Sequence, residues 1–359
     1  MRAPAGWLAL ALGATACAGR SAAPPPTRPE PGPQPAPVAQ PAAAPPAEAG
    51  SEPPSPCTPI DTPFTGLLCL PTAGDGQARH PAMVLFGGYG GDGEARRLAR
   101  ELATRGYVTA AVSYFGAPGT PHTLVDVPVE IGVAAVTALA ARPDVDPARV
   151  AVLGSSKGGE YALLVAATTP AMKKVIANVP SPFAWYGLGV GGAPSGCSWS
   201  RAGRTLPCVP PDAAAGQEAW RATTAGRPIA FRAAYEAARR DSAAVERAFF
   251  PLERIQGPVL CLAAGDDEVW NSSAQCELAM TYLRAHHHPF PDQVASLVGA
   301  GHLYLMAREG PDAALNSAPM GAGGRMAFGG TPLADARAAQ TALALIDTFL
   351  SRPGSSSDR

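Results

Sequence analysis

Val150-Ala-Val-Leu-Gly-Ser-Ser-Lys-Gly-Gly-Glu160 decides how the rest of the chain is read. Strand-favouring apolar residues, Val150 to Leu153, run into Gly154, two serines, a lysine and two glycines. From Glu160 through Ala167 the pattern turns helical. Gly154-Ser-Ser-Lys-Gly158 fits G-x-S-x-G in the strand–turn–helix setting that gives that pattern meaning. Such a turn is strained, and glycine on each side lets neighbouring backbone approach closely. It stands the Ser156 Oγ at the carboxyl end of a strand, with the N–H groups of a helix N-terminus behind it to receive an oxyanion. Ser156 is therefore the candidate nucleophile; the alternative is a tight Gly/Ser turn with no chemistry.

Working outward, strands and helices alternate. Thr65 to Leu70 reads as a short edge strand, His80 to Phe86 as a continuous apolar strand, and Tyr107 to Tyr114 as another. Between them, Glu94 to Arg105 is an amphipathic helix with Leu98 and Leu102 on its inner face. Val129 to Ala141 is a helix that Pro143 ends, and Lys174 to Val179 is the strand after the serine turn. This alternation predicts right-handed crossovers and a mostly parallel sheet, with ligands at the carboxyl ends of its strands. From Ser181 to Arg254 it stops. That stretch carries Trp185, Tyr186, Trp199, Trp220, Phe231 and Tyr235 and reads as an inserted lid, its rings either lining an acyl pocket or packing on one another. Gly257 to Ala263 then resumes as a strand, followed by a helix over Ser273 to His286, a strand over Gln293 to Leu297 and a helix over Ala334 to Leu350.

Of 359 residues only 16% are charged and the net charge is −1, with no basic patch, which argues against a nucleic-acid partner. The beginning of the chain carries another message. Arg2, the apolar Trp7 to Ala14, and Ala14-Thr-Ala-Cys17 form a secretory signal too short to span a membrane as a helix. Cys17 resembles the acylated cysteine of bacterial lipoproteins, which makes residues 1–16 the signal and Cys17 the membrane anchor. Ala18 follows it, not the aspartate of inner-membrane retention, so in a two-membrane cell the resemblance points to the outer membrane. Residues 17–56 read as a disordered tether, since Ser21 to Pro56 holds fourteen of the chain's 40 prolines and no apolar period. The folded domain is expected over 57–353, with its lid at about 181–254, and a disordered tail at 354–359. Six cysteines remain after Cys17, an even number in an exported protein. Cys57 with Cys69 and Cys197 with Cys208 are plausible local disulfides, while Cys261 and Cys276 are either a third pair or free buried thiols.

A serine hydroxyl needs a base and an orienting acid. After Ser156 the chain offers them in the order of the α/β-hydrolase layout, nucleophile then acid then histidine. The acid belongs after the strand ending at Ala263, where Ala264-Gly-Asp-Asp-Glu-Val-Trp270 holds two aspartates. Asp267 is the choice, three residues beyond Ala264, with Asp266 the alternative. The base is His302, in Gly299-Ala-Gly-His302, where small residues let the imidazole swing toward the serine. The turn Gly87-Gly-Tyr-Gly-Gly91 is expected to give one oxyanion donor, the N–H of Gly88 or Tyr89, and Lys157 the other through its N–H. Gly88, Gly90 and Gly93 also match a dinucleotide fingerprint, but Val112-Ser-Tyr-Phe115 lacks the carboxylate it requires. His286-His-His288 has no second ligand cluster and reads as a solvated helix end, so neither metal nor organic cofactor is expected.

The chain resembles the C-terminal domain of the acyl-CoA thioester hydrolases and bile acid-CoA:amino acid N-acyltransferases, over roughly Pro81 to Ser351. The resemblance rests on Ser156-Lys-Gly-Gly-Glu160, Ser198-Trp-Ser-Arg-Ala-Gly-Arg-Thr-Leu-Pro207, Gly265-Asp-Asp-Glu-Val-Trp270, Gly301-His302 and Gly329-Gly-Thr-Pro332. It implies Ser156 as nucleophile, Asp267 as acid, His302 as base, and a small acyl ester or thioester as substrate. Serine, where the acyl-transferring members tend to carry cysteine, implies water as the acceptor. The alternatives are a carboxylesterase or dienelactone-hydrolase-like enzyme outside the cytoplasm, and a non-catalytic binding lipoprotein on the same fold.

Overall fold

The computed structural model describes residues 56–71, 79–306, 316–320 and 324–352. The expected signal, Cys17, all of the tether except Pro56, and the tail lie outside the described residues. Strands β1 (Cys57–Ile60), β2 (Gly66–Cys69) and β3 (His80–Phe86) lead to helix α1 (Gly93–Thr104) and β4 (Val108–Val112). Then come β5 (Val127–Pro128), α2 (Val129–Ala140), β6 (Val145–Ser155), α3 (Lys157–Ala166) and β7 (Lys174–Asn178). The inserted segment holds β8 (Tyr186–Leu188), β9 (Pro194–Cys197), β10 (Trp199–Arg201), β11 (Arg204–Thr205), α4 (Ala213–Thr224), α5 (Arg232–Ala238) and α6 (Ser242–Ala248). The chain finishes with β12 (Val259–Ala264), α7 (Ser272–Ala285), β13 (Gln293–Leu297), the pair β14 (Ser317–Pro319) and β15 (Arg325–Ala327), and α8 (Pro332–Ser351).

Eight strands form one sheet in the order β1-β2-β4-β3-β6-β7-β12-β13. The first two are antiparallel and every pairing from β4 to β13 is parallel. With the lid strands set aside, that order is the α/β-hydrolase fold. Strands covered on both faces need apolar residues at every position. β3 shows it: Val84 and Phe86 face a core shared with α2, α3 and α7, while Met83 and Leu85 face a second core with α1 and α8. Leu98 and Leu102 point into that second core, as the helical pattern requires.

The edge strand differs from the sequence reading. The strand expected at the edge, now β2, lies one place inside it, and β1 holds the edge. Cys-Thr-Pro-Ile is too short, too exposed and too proline-broken to show a strand period, yet it pairs with β2 in register, Cys57 opposite Cys69. These two cysteines are joined, as are Cys197 and Cys208, and Cys261 and Cys276. The third bond ties β12 to α7. Among the described residues no helix is long and apolar enough to cross a membrane.

Candidate active site

The central strand β6 ends at Ser155, and α3 begins at Lys157. Ser156 between them has φ 57° and ψ −121°, a backbone setting that costs a non-glycine residue energy. Its neighbours allow it. A Cβ on Gly154 would lie 1.9 Å from the Gly158 carbonyl oxygen, and one on Gly158 would lie 2.3 Å from that of Phe86. The Ser156 N–H donates to the Asn178 carbonyl at 2.9 Å, which pins the turn to the end of β7.

His302 lies on the loop after β13 and is 3% exposed. Its Nε2 sits 2.8 Å from Ser156 Oγ, and its Nδ1 sits 2.8 Å from Asp267 Oδ2. Asp267 is fully buried, and its other oxygen accepts the N–H groups of Val269 at 2.9 Å and Trp270 at 3.1 Å. Neighbouring Asp266 is exposed; its backbone N–H donates to the Ala300 carbonyl. The structure thus brings Ser156, His302 and Asp267 into one hydrogen-bonded line and leaves Asp266 out of it.

Gly88 and Lys157 are the serine's other neighbours. Gly88 is so close that a Cβ there would meet Ser156 Cβ at 3.3 Å and Oγ at 3.8 Å. Lys157 is the first residue of α3, so its amide has no partner within the helix. Tyr89 is 40% exposed, and its hydroxyl would lie 3.1 Å from a Cβ on Gly192 in the inserted segment.

Several residues at the site have roles that local sequence does not reveal. Gly329 and Gly330, both at positive φ, are squeezed between the acid loop and the histidine loop. A Cβ on Gly329 would lie 1.8 Å from the Asp266 carbonyl oxygen, and one on Gly330 would lie 2.3 Å from the Gly301 nitrogen. Phe328 accepts the His302 N–H at 2.7 Å, and Asp335 Oδ1 accepts that of Gly301, also at 2.7 Å. Burial raises the Asp335 carboxyl, and the Asp266 charge adds to this while the Gly301 bond opposes it. Trp270 lays its ring against His302 at 5.5 Å, nearly perpendicular, and donates its indole N–H to the Val179 carbonyl. Behind the serine turn, Tyr304 bonds Asn178, Asn178 donates to Ser155, and Ser155 donates to the buried Glu94. Burial pushes the Glu94 carboxyl above its ordinary range, against the Ser155 bond and the pull of Arg97 and His302.

The Lys157 side chain, expected to matter only through its backbone, is buried at 2% exposure. Its Nζ meets Glu160 Oε1 at 2.9 Å and Ser198 Oγ at 2.7 Å. Burial draws the Lys157 ammonium down and pushes the Glu160 carboxyl up, while their mutual attraction opposes both shifts. The histidine run also departs from expectation: His286 and His287 are exposed, but His288 is buried. The chain doubles back after α7, and His288 bonds Asp292 at 2.7 Å and the Ile255 carbonyl at 2.9 Å. Among the described residues no group of three or more His, Cys, Asp or Glu is placed to hold a metal ion.

The family description "BAAT / Acyl-CoA thioester hydrolase C terminal" matches residues 209–353. The acetyl xylan esterase family matches residues 125–184, which include the serine turn. The chain is 27% identical over 285 residues to mouse acyl-coenzyme A thioesterase 6, covering 77% of this chain and 61% of that one. It is 28% identical over 239 residues to mouse acyl-coenzyme A amino acid N-acyltransferase 1, covering 66% and 51%. It therefore spans between 51% and 61% of the length of these two relatives. A solved putative dienelactone hydrolase from Klebsiella pneumoniae matches 80% of this chain and 93% of its own, with TM-score 0.49 and 15% identity. The resemblance to the C-terminal domain of the thioester hydrolases and N-acyltransferases thus stands beyond the motifs that first suggested it.

Proposed function

We propose that this chain is a serine hydrolase that cleaves acyl thioesters or carboxylic esters through an acyl-enzyme on Ser156. The observation that carries the reading is the line from Ser156 Oγ through His302 to Asp267, two contacts of 2.8 Å ending on a fully buried carboxylate. With its proton on Nδ1 facing Asp267, the imidazole turns a lone pair toward the serine. His302 Nε2 takes the hydroxyl proton as Oγ attacks the acyl carbon. The oxyanion rests on the N–H of Lys157 and one from Gly88 or Tyr89. As the intermediate collapses, the C–S or C–O bond breaks and His302 returns the proton to the leaving group. Water then repeats the steps with His302 as base, releasing the acid and free Ser156.

The reading includes a place. Three disulfides suit an oxidising compartment, so we take the chain as exported and anchored through a lipid on Cys17, at the outer membrane in a two-membrane cell. The acetyl xylan esterase match across the serine turn favours a second reading, an extracytoplasmic carboxylesterase or dienelactone-hydrolase-like enzyme.

The test compares kcat/KM on acyl-CoA thioesters and on oxygen esters of matched chain length, using the full chain in detergent beside Ser156→Ala. The thioester reading expects a strong thioester preference that vanishes in Ser156→Ala. Turnover of oxygen esters alone would replace it by the esterase reading. No turnover of either, with no fluorophosphonate labelling of Ser156, would leave a binding protein on a hydrolase fold.

A further inference from the structure

We infer that the Lys157 side chain is a positioning device, through which the inserted segment sets the oxyanion site. The inference rests on the proposed chemistry at Ser156, and it concerns a group that chemistry does not use. Lys157 opens α3, so its N–H is the proposed oxyanion donor, while its ammonium reaches Ser198 and Tyr186 of the inserted segment. A cation at a helix N-terminus opposes the helix dipole. Glu160, three residues on, offsets it at 2.9 Å.

Lys157 Nζ also meets Ser198 Oγ at 2.7 Å and the Tyr186 carbonyl at 3.3 Å, and lies 5.6 Å from the centre of the Trp199 ring. Glu160 Oε2 accepts the Trp199 indole N–H at 2.9 Å and the Trp185 backbone N–H at 3.2 Å. Ser198 Oγ lies 2.9 Å from each of the Trp185 and Tyr186 carbonyls, so its single proton is shared between them. Among the described residues, these partners of the paired side chains all belong to residues 185–199 of the inserted segment. Cys197, next to Ser198, is bonded to Cys208, which stiffens that contact. The segment thus takes the place of water around two charges at the mouth of the nucleophile helix.

A buried pair of this kind is weak grounds for stability. A buried ion pair is commonly matched or bettered by apolar residues of similar size. What the pair supplies is a fixed geometry: with the segment seated, the first peptide of α3 is held from its own side chain. Unseated, the ammonium would turn to water and the peptide bearing the oxyanion donor would lose its anchor. A donor misplaced by about 1 Å costs on the order of 10²-fold in rate.

The experiment uses the full chain carrying Lys157→Met with Glu160→Gln, which leaves no unpaired charge, and separately Ser198→Ala, which keeps the pair and removes its hydroxyl partner. On p-nitrophenyl butyrate the double variant should lose about 10²-fold in kcat with KM within about threefold. Its rate of fluorophosphonate labelling should fall in parallel while its unfolding midpoint stays within a few degrees of the parent. Ser198→Ala should lose about tenfold in kcat with the same split. Parental kcat and labelling in the double variant would overturn the inference, as would a loss confined to KM. Should the double variant not fold, parental kcat in Ser198→Ala overturns it alone. Turnover surviving in Ser156→Ala would instead overturn the nucleophile assignment, so the two failures are distinguishable.

Discussion

Asp267→Asn should cost about 10⁴-fold in kcat, and the cause is legible in the geometry. Asp267 Oδ1 is held by two amide donors, Val269 at 2.9 Å and Trp270 at 3.1 Å. An asparagine there keeps its carbonyl oxygen on those donors, because an NH₂ in that place would face two N–H groups. Its NH₂ is therefore presented to His302 Nδ1, where Asp267 Oδ2 now sits at 2.8 Å. The imidazole must then accept at Nδ1 and carry its proton on Nε2, pointing at Ser156 Oγ from 2.8 Å. A ring in that tautomer donates to the serine and cannot take its proton. Loss of the correct tautomer in a triad of this kind costs about 10⁴ in kcat, or about 5.5 kcal/mol at about 1.4 kcal/mol per decade. Asp266→Asn removes an exposed carboxylate outside the line and should stay within about threefold of the parent. The assay is steady-state hydrolysis of a p-nitrophenyl ester by both variants at about pH 8, with unfolding curves to show that each is folded. A folded Asp267→Asn enzyme within tenfold of the parent, or an Asp266→Asn loss as large as that of Asp267→Asn, would refute the reasoning.

Two further outcomes concern stability. The Cys261–Cys276 bond spans 15 residues that include Asp267, so replacing both cysteines by alanine should lower the unfolding free energy by about 3 kcal/mol. Urea titration measures it; an unchanged midpoint would mean that the bond constrains nothing the chain does not already hold. Burial, the largest influence on Glu94, raises its carboxyl above the ordinary 4.5, so on raising the pH the unfolded chain gives up this proton first and the folded state loses stability. That loss begins near the unfolded value and runs up to the folded one. Glu94→Gln removes it, so relative to the parent the variant should be more favoured at about pH 7 than at about pH 4, by chemical denaturation. A difference of the opposite sign would mean that the pull of Arg97 and His302 outweighs burial.

The parts of this molecule that sequence makes legible are those with short-range grammar. A serine between glycines after an apolar run, an aspartate after a closing alanine, and a histidine among small residues each announce a turn. β1 escaped because Cys57–Ile60 has neither the length nor the burial to show a period, and it stands as a strand by pairing with Gly66–Cys69. Gly329 and Gly330 were visible as a motif but not as a wedge, since the loops they separate come from elsewhere in the chain. The Lys157 side chain is the most instructive case. A lysine and a glutamate three apart on a helix look like any exposed pair, and the partner that distinguishes them, Ser198, lies 41 residues away. Buried apolar side chains advertise themselves by period; buried charges do not. Yet one signal was available. Past Glu160 the helix reads Tyr-Ala-Leu-Leu-Val-Ala, apolar on every side, and the structure buries all ten of its residues. A helix without a polar face has nowhere outward to place a charge. Lys157 and Glu160 therefore had to turn inward, where a charge pair is retained only if another part of the chain comes to satisfy it. The inserted segment is that part.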